Sequence, residues 1–543
     1  IVPPYVSYEN FVNPTIYEAT MLKKGRPYKN VVADMPLGFL SLSAYLKEHA
    51  NVAIKCTDFN VTLNKLDDFE YESFAAMFHG VLSSEEFIKF DPDIIGISSL
   101  FVPSYLNTLD IAKTARDLFP NAFIIAGGSV ATTMYEEIYD VSDSFDALCF
   151  GEGELPLLAL VNAEDKAQLV DSHPSWVTTS KVSRKESYKH EYIWDLDEIP
   201  FFDYDLLELD GYRLNPMLGN YPLMKDKLSS IPVISTRGCP FLCNFCSSHA
   251  VHGRQMRYHS VDRLRNDYLR LKEKFGIVAI MYMDDHFMAK KRRVYDIIDV
   301  HKELGLTAYF PSSVTLVSLD KKMLTALHSI GVDNLVLSVE SGSDRVLKDV
   351  MHKPLNLGVT ERVTKDCREL GINADINIVV GVPGETKEDL EDTRQFLKTI
   401  DANWFRINVA TPLKGSEMFD VALKNGYLKG DYTQSNYKTA IIETEHWTCE
   451  ELQDYAYSLN LELNFVENDD IKLGDYEKAL EGFLQTLKLK HDHAFGMYFA
   501  ALCYKKMNLL DKFETFYSDY ENIVKGSDFW ENYVERFSLP ALQ

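Results

Sequence analysis

Residues 231–248 read IPVISTRGCPFLCNFCSS, a β-branched run that breaks at Gly238 into three cysteines, Cys239, Cys243 and Cys246. The apolar half predicts a buried strand, and the glycine predicts the turn that ends it. Six strand-like runs follow from here: IPVIST at 231, IVAIMYM at 277, TAYFPSSV at 307, DNLVLSV at 333, NADINIVV at 373 and WFRINVAT at 404. Helical periods separate each pair, so right-handed crossovers would curl residues 231–430 into a partial (β/α)6 barrel. The reactive centre of such a barrel lies at the carboxyl ends of its strands, where the three cysteines fall.

Working outward, residues 1–165 alternate short β-rich runs (VAIK at 52, DIIGIS at 93, AFIIA at 122, DALCF at 146) with helical periods near 36–49, 104–118 and 131–139. This rhythm predicts a Rossmann-like, doubly wound parallel sheet. Glycines stand where two of its strands should end, Gly127-Gly128 and Gly151-Glu152-Gly153-Glu154, leaving room for a ligand at the carboxyl edge. Residues 166–230 lose the rhythm, carry Pro174, Pro200, Pro216 and Pro222 with Trp194, Phe201, Phe202 and Tyr204, and read as an ordered linker. Residues 431–543 read as all-helical. Gly474 and Asn508 are 34 residues apart, and the same offset pairs Tyr476 with Leu510, Ala479 with Phe513 and Phe483 with Tyr517. That self-similarity near 465–520 looks like a tetratricopeptide repeat, which would serve as a helical cap on the barrel or as a surface for a protein partner.

The 543 residues are 46% hydrophobic and 25% charged, the composition of a folded globular chain. With 56 basic against 81 acidic residues, a net charge of −25, a surface that tracks nucleic-acid phosphates is excluded from the expectation. No apolar run approaches the roughly 18 residues of a membrane span, and no signal peptide opens the chain, so a cytoplasmic protein without a transmembrane segment is expected. Ile1-Val2 running into Pro3-Pro4 reads as a strand with a short segment before it.

Eight cysteines are too few for a disulfide framework, and Cys56, Cys149, Cys367, Cys449 and Cys503 are widely separated. The C-x3-C-x2-C group differs: three thiolates at that spacing can hold three irons of a [4Fe–4S] cluster and leave the fourth iron open to a ligand. On spacing alone, a zinc site borrowing His249 or His252, or three unrelated thiols, stay open.

RGCPFLCNFCSS resembles the signature loop of the radical S-adenosylmethionine (SAM) superfamily, over residues 231 to about 415. The resemblance implies that Cys239, Cys243 and Cys246 ligate the cluster, that its open iron chelates SAM, and that reductive cleavage gives a 5′-deoxyadenosyl radical. It also implies that Phe245 packs near the adenine. MYMDDHF at 281, SVESGSDRVL at 338 and GVPGET at 381 resemble the same superfamily and make Asp284, Ser338, Glu340, Gly381 and Gly384 candidate SAM-binding residues. Asp284-Asp285 reads equally as a strand end or helix cap.

MPLGFLSLSAYLKE at 35, DPDIIGISSLF at 91, AGGSVAT at 126 and FGEGELPLLAL at 150 resemble the cobalamin-binding domain of the cobalamin-dependent radical SAM enzymes. The resemblance assigns Ser98, Ser99, Leu100, Gly127, Gly128, Gly151, Glu152 and Gly153 to cobalamin, whose nucleotide tail would slide between the strand ends. The D-x-H-x-x-G motif that gives cobalt a histidine has no match. Its nearest counterpart, Asp58 to Leu63, places Asn60 at the histidine position, so no histidine ligand on cobalt is expected. The implied function is a radical methyltransferase acting on an unactivated carbon, fed by a reductant such as flavodoxin or ferredoxin, with a small-molecule or natural-product substrate. Cyclisation, ring contraction and P-methylation are the alternatives within the same family, and a cobalamin-binding scaffold protein is the alternative outside it.

Overall fold

A computed structural model describes residues 1–542 apart from 16, 17, 19, 213–229, 313, 436 and 437. Pro216 and Pro222 of the expected linker lie outside the described residues. After a hairpin of β1 (Thr20–Lys23) and β2 (Arg26–Lys29), the amino-terminal sheet runs in the order β3 (Ile94–Ser98), β4 (Phe123–Gly127), β5 (Ala147–Cys149), β6 (Trp176–Val177). The first three pair in parallel, as the alternation predicts, and β6 adds antiparallel to β5. The sheet therefore extends past residue 165 into the expected linker, because Trp176 supplies a large side chain that buries fully on the sheet's flank.

VAIK at 52–55 forms no strand. Its expected pairing falls further along, where Val2 bridges Asp58 in parallel and bonds Thr57 and Phe59 through its backbone, while Ile1 continues onto β3 by accepting from the Ser98 amide. The expected helix at 131–139 is divided at Met134 into Ser129–Thr133 and Tyr135–Val141. The helices Leu37–His49 and Tyr105–Leu118 stand where the periodicity places them.

The second series gives six parallel strands in sequential order. β7 (Ser230–Val233), β10 (Ala279–Tyr282) and β11 (Thr307–Tyr309) form one half; β12 (Asn334–Glu340), β13 (Asn373–Val380) and β14 (Trp404–Val409) form the other. A parallel bridge between Val314 and Leu337 joins the halves. Between the first two strands, β8 (Thr236–Arg237) and β9 (Arg257–Tyr258) make a small antiparallel stem, and the cysteine loop hangs from it. Alternation divides the faces: Leu335, Leu337, Val339, Ile376, Ile378, Val380, Phe405, Ile407 and Val409 enter the core shared with the helices, while Asp375, Asn377, Arg406 and Asn408 point inward.

The tail is helical from Cys449 on, whereas the described residues of 431–448, expected to be helical too, hold one short turn at Tyr432–Gln434 and an antiparallel bridge of Ile442 to Leu428. Tyr476–Leu489 and Ala494–Lys506 are followed by Leu510–Lys525 and Asp528–Arg536, and both repeats open after a left-handed residue, Gly474 (φ 79°) and Asn508 (φ 60°). In the first unit Ala479 and Phe483 are fully buried; their counterparts Phe513 and Tyr517 are only half-buried. The helical core includes Trp404 of β14 with Phe465, Phe483 and Phe499. Asn464 accepts from the Phe405 amide at 2.7 Å and donates to the Phe405 carbonyl at 2.8 Å, taking the place of the strand missing from the edge of β14.

Candidate active site

Cys239, Cys243 and Cys246 lie between β8 and β9, all free and half-buried. Gly238, with φ 87°, turns the chain out of β8; a Cβ there would meet the Gln255 carbonyl oxygen at 2.5 Å, so only glycine fits. The Cys246 amide donates to the Cys243 carbonyl at 3.2 Å, and Asn244 fixes the middle of the loop by donating its amide to Met351 and its side chain to Val350. Burial pushes the Cys239 thiol up to about 11, and the charges of Asp285, Cys246 and Cys243 push the same way. Burial raises Cys243 too, opposed by Lys353 and reinforced by Cys246 and Glu340. The three sulfurs thus see one another.

Among the described residues no three His, Cys, Asp or Glu side chains converge as a single ion would require. Three cysteine sulfurs on one loop shaped by Gly238 and Asn244 are a donor set that suits three irons of a [4Fe–4S] cluster.

Glu340 brings the barrel interior to this loop. It ends β12 with φ 72°, at a register irregularity after Ser338, and its buried carboxylate accepts from Lys353 Nζ at 3.2 Å and Asn377 Nδ2 at 2.9 Å. Asn377 in turn accepts from Asn408 at 3.0 Å, and Arg406 donates to Asp375 at 2.8 Å, so the inner face of β12 to β14 is a connected polar lining. Lys353, Asn377 and Asn408 escaped the sequence reading, since none belongs to a motif and only the strand alternation marks the last two as inward.

The other candidates divide by what already occupies them. Asp284 is buried and accepts from the Ser235 amide (2.6 Å), the Thr236 amide (2.6 Å) and the Ser235 hydroxyl (2.8 Å), fastening the end of β10 to the strand that leads to the cysteines. Burial pushes its carboxyl up to about 6 against those bonds. Ser338 donates its hydroxyl to Val314 at 3.2 Å across the seam between the half-sheets. Phe245 packs on the apolar cluster of Val346, Leu347 and Val382 beyond β12 and β13. A Cβ at Gly381, φ 88°, would lie 2.2 Å from Leu452 of the helix Cys449–Leu461, whereas Gly384, φ 97°, meets only Val350 at 3.6 Å.

In the amino-terminal domain Ser98 is half-buried and Leu100 is exposed at the carboxyl end of β3. Ser99 turns inward and bonds Ser104 (2.8 Å) and Thr108 (2.9 Å). Gly127 and Gly128 are half-buried beside them, and a Cβ at Gly128 would strike the Ser99 carbonyl at 2.6 Å. A Cβ at Gly151 would lie 2.5 Å from His190, and one at Gly153 would lie 3.1 Å from Leu42, so protein segments use the space these two glycines leave. Asn60 is wholly buried, accepts from the Tyr5 amide at 2.8 Å and donates to the Pro3 carbonyl and to Asp58. Its amide is spent holding the sheet edge.

Glu152 departs most from expectation. Its side chain meets the stem of the cysteine loop: Arg237 Nη1 and Arg257 Nη1 both donate to its Oε2, at 3.0 and 2.8 Å, and His252 Nδ1 lies 2.7 Å from Oε1. Burial would raise this carboxyl; Arg237, Arg257 and His252 outweigh it and hold the group well below the carboxylate range. Glu154 accepts from Arg237 Nη2 and the Ser41 hydroxyl, each at 2.6 Å.

Residues 233–397 match the family described as the radical SAM superfamily, and residues 34–161 match the B12 binding domain. An uncharacterized methyltransferase of Pyrococcus horikoshii is 30% identical over 372 residues, covering 67% of this chain and 77% of that protein. The cytidylyl-2-hydroxyethylphosphonate methyltransferase of Streptomyces wedmorensis is 25% identical over 417 residues, covering 70% and 78%. The anaerobic magnesium-protoporphyrin IX monomethyl ester cyclase of Rubrivivax gelatinosus is 25% identical, covering 69% and 66%. Among solved structures, the cobalamin-dependent SAM radical enzyme OxsB with aqua-cobalamin and SAM bound shares the fold at a TM-score of 0.61 and 16% identity, covering 93% of this chain and 81% of that one. The radical SAM methyltransferase TsrM of Kitasatospora setae, solved with tryptophan substrate, does so at a TM-score of 0.53 and 14% identity, covering 74% and 75%.

Proposed function

The chain belongs to the B12-binding radical SAM enzymes, and from that membership we propose that it is a radical methyltransferase that methylates an unactivated carbon of a small molecule. The observation that carries this reading is the direct contact of the two modules at their working ends: the turn after β5 of the amino-terminal domain bonds the stem of the cysteine loop. Relatives that match two thirds or more of the chain carry the name methyltransferase, which supports it.

When bound, the cluster with SAM supplies hydrogen-atom abstraction, and cobalamin supplies the methyl group. The chain's own residues bind, orient and exclude. Cys239, Cys243 and Cys246 would hold three irons. Glu340, kept in place by Lys353 and Asn377, offers a carboxylate to a cationic amino group or a ribose hydroxyl. Phe245, Gly381 and Gly384 would line the adenine side; Asp284 and Ser338 position strand ends rather than touch SAM. At the carboxyl edge of the amino-terminal sheet, Ser98, Leu100, Gly127 and Gly128 are open to the cobalamin tail, with Gly151 and Gly153 contributing backbone. The commitment of Asn60 to Tyr5, Pro3 and Asp58 supports a cobalt without an Asn60 ligand.

The polar lining of Asn377, Asn408 and the Asp375–Arg406 pair suits a polar small molecule; tryptophan is the substrate named for TsrM. Eight free cysteines suit the reducing cytoplasm, where flavodoxin or ferredoxin would supply electrons. Among the described residues no helix is long and apolar enough to cross a membrane. The paired helices after Gly474 read as a tetratricopeptide-like cap that seals the edge of β14, with an outer face available to a protein partner.

A second reading, ring formation or rearrangement without methyl transfer, has the cyclase relative behind it. One anaerobic assay decides. Protein reconstituted with iron, sulfide and cobalamin, given SAM and a strong reductant, is assayed by mass spectrometry for 5′-deoxyadenosine and S-adenosylhomocysteine. Both products are expected; deoxyadenosine alone would favour the second reading.

A further inference from the structure

The loop bearing the three cysteines is closed by two cross-strand pairs, Thr236 with Tyr258 and Arg237 with Arg257. Two arginines therefore face each other at the base of the loop, with side chains only 5% and 2% exposed. Like charges directly opposite on paired strands repel, and burial removes the water that would screen them. Among the described residues, the anions bonded to the two guanidinium groups all come from the other domain. Glu152 Oε2 accepts from both, Glu152 Oε1 also pairs with Arg257 Nη2, and Glu154 Oε1 accepts from Arg237. Two cations meet two anions, and Ser41, His252 and the Ile193 carbonyl complete the shell.

We propose that Glu152 and Glu154 are positioning residues for the iron–sulfur loop, so that the three thiols take up their ligating arrangement only while the amino-terminal domain supplies the counter-charge of the stem. The proposal rests on the reading of Cys239, Cys243 and Cys246 as cluster ligands. It makes the two modules one device: the turn that carries Glu152 sits at the sheet edge offered to cobalamin, and the stem it neutralises sits two residues from Cys239.

The balance of charges sets the test. The full chain and its variants E152Q, R257Q and E152Q/R257Q are purified anaerobically and reconstituted with iron and sulfide. Iron per chain is measured, and the electron paramagnetic resonance of the reduced cluster is recorded with and without SAM. Either single change leaves an unmatched buried charge, which shifts the closed-to-open ratio of the stem by roughly 10²-fold or more, so iron content falls severalfold and the SAM-induced change of the spectrum is lost. The double variant restores neutrality, with Glu154 on Arg237, and regains most of both. A role unconnected with the charge balance of the stem would leave the double variant as poor as the worse single one. The proposal is overturned if E152Q keeps the parent's iron content and spectral response, or if the double variant is no better than the single ones. Should E152Q fail to fold, the comparison of R257Q with the double variant decides alone. A parent that takes up no cluster overturns the proposed function instead.

Discussion

Asn464 offers the sharpest test of how the barrel is closed. It is wholly buried, and its amide satisfies both the N–H (2.7 Å) and the C=O (2.8 Å) of Phe405, itself 3% exposed, at the free edge of β14. Replacing it with leucine keeps the branching at Cγ and leaves two buried backbone groups without partners. Each costs about 1–3 kcal/mol, and taking the lower half of that range for two groups gives about 2–4 kcal/mol. Because the chain has several modules, one global unfolding energy is poorly defined, and a local measurement is better. Hydrogen exchange by mass spectrometry on a peptide spanning 404–409 reads the opening of this edge, and 2–4 kcal/mol corresponds to exchange about 30- to 1,000-fold faster. The Trp404 contact with Phe465 should loosen with it, exposing the inner face of β14 to water. Exchange in Asn464→Leu within threefold of the parent would refute the idea that this side chain stands in for a strand.

Three further outcomes are expected. Alanine at Cys239, Cys243 or Cys246 should abolish cluster-dependent formation of 5′-deoxyadenosine and lower iron per chain, while alanine at Cys367 or Cys503 should leave iron content unchanged. Glu340→Gln should raise the Kd for SAM roughly tenfold, the size of one charge-assisted hydrogen bond, with kcat at saturating SAM little altered; an unchanged Kd by equilibrium dialysis would remove Glu340 from the binding set. Burial pushes Glu385 up to about 8, against its bond from the Gly381 amide at 2.7 Å. Its folded-state pKa exceeds the unfolded one, so the fold binds more protons and loses stability as pH rises between about 4.5 and 8. Glu385→Gln should flatten that fall in thermal melts run from pH 5 to 8.5, and an unaltered slope would show that another group carries it.

The amino-acid sequence by itself determined the elements and the chemistry of the loop. Residues 373–380 read as a strand and are one, because alternating Ala374, Ile376, Ile378 and Val380 against Asp375 and Asn377 is a local period with a single solution. The cysteine spacing and Gly238 are likewise local, as are the left-handed residues 34 apart that start the two helical pairs. What tertiary structure decided is who meets whom. VAIK at 52–55 has strand composition but no partner along its length. Trp176 lay in a stretch without rhythm and became the sheet's edge. Glu152, assigned to cobalamin by family resemblance, is also the counter-ion of Arg237, 85 residues away, and of Arg257, 105 residues away, which no local pattern announces. Propensity and periodicity act over a few residues and are written in the chain. The pairing of a buried charge is set by where low-dielectric packing leaves it no water, and only the folded arrangement of both domains fixes that place.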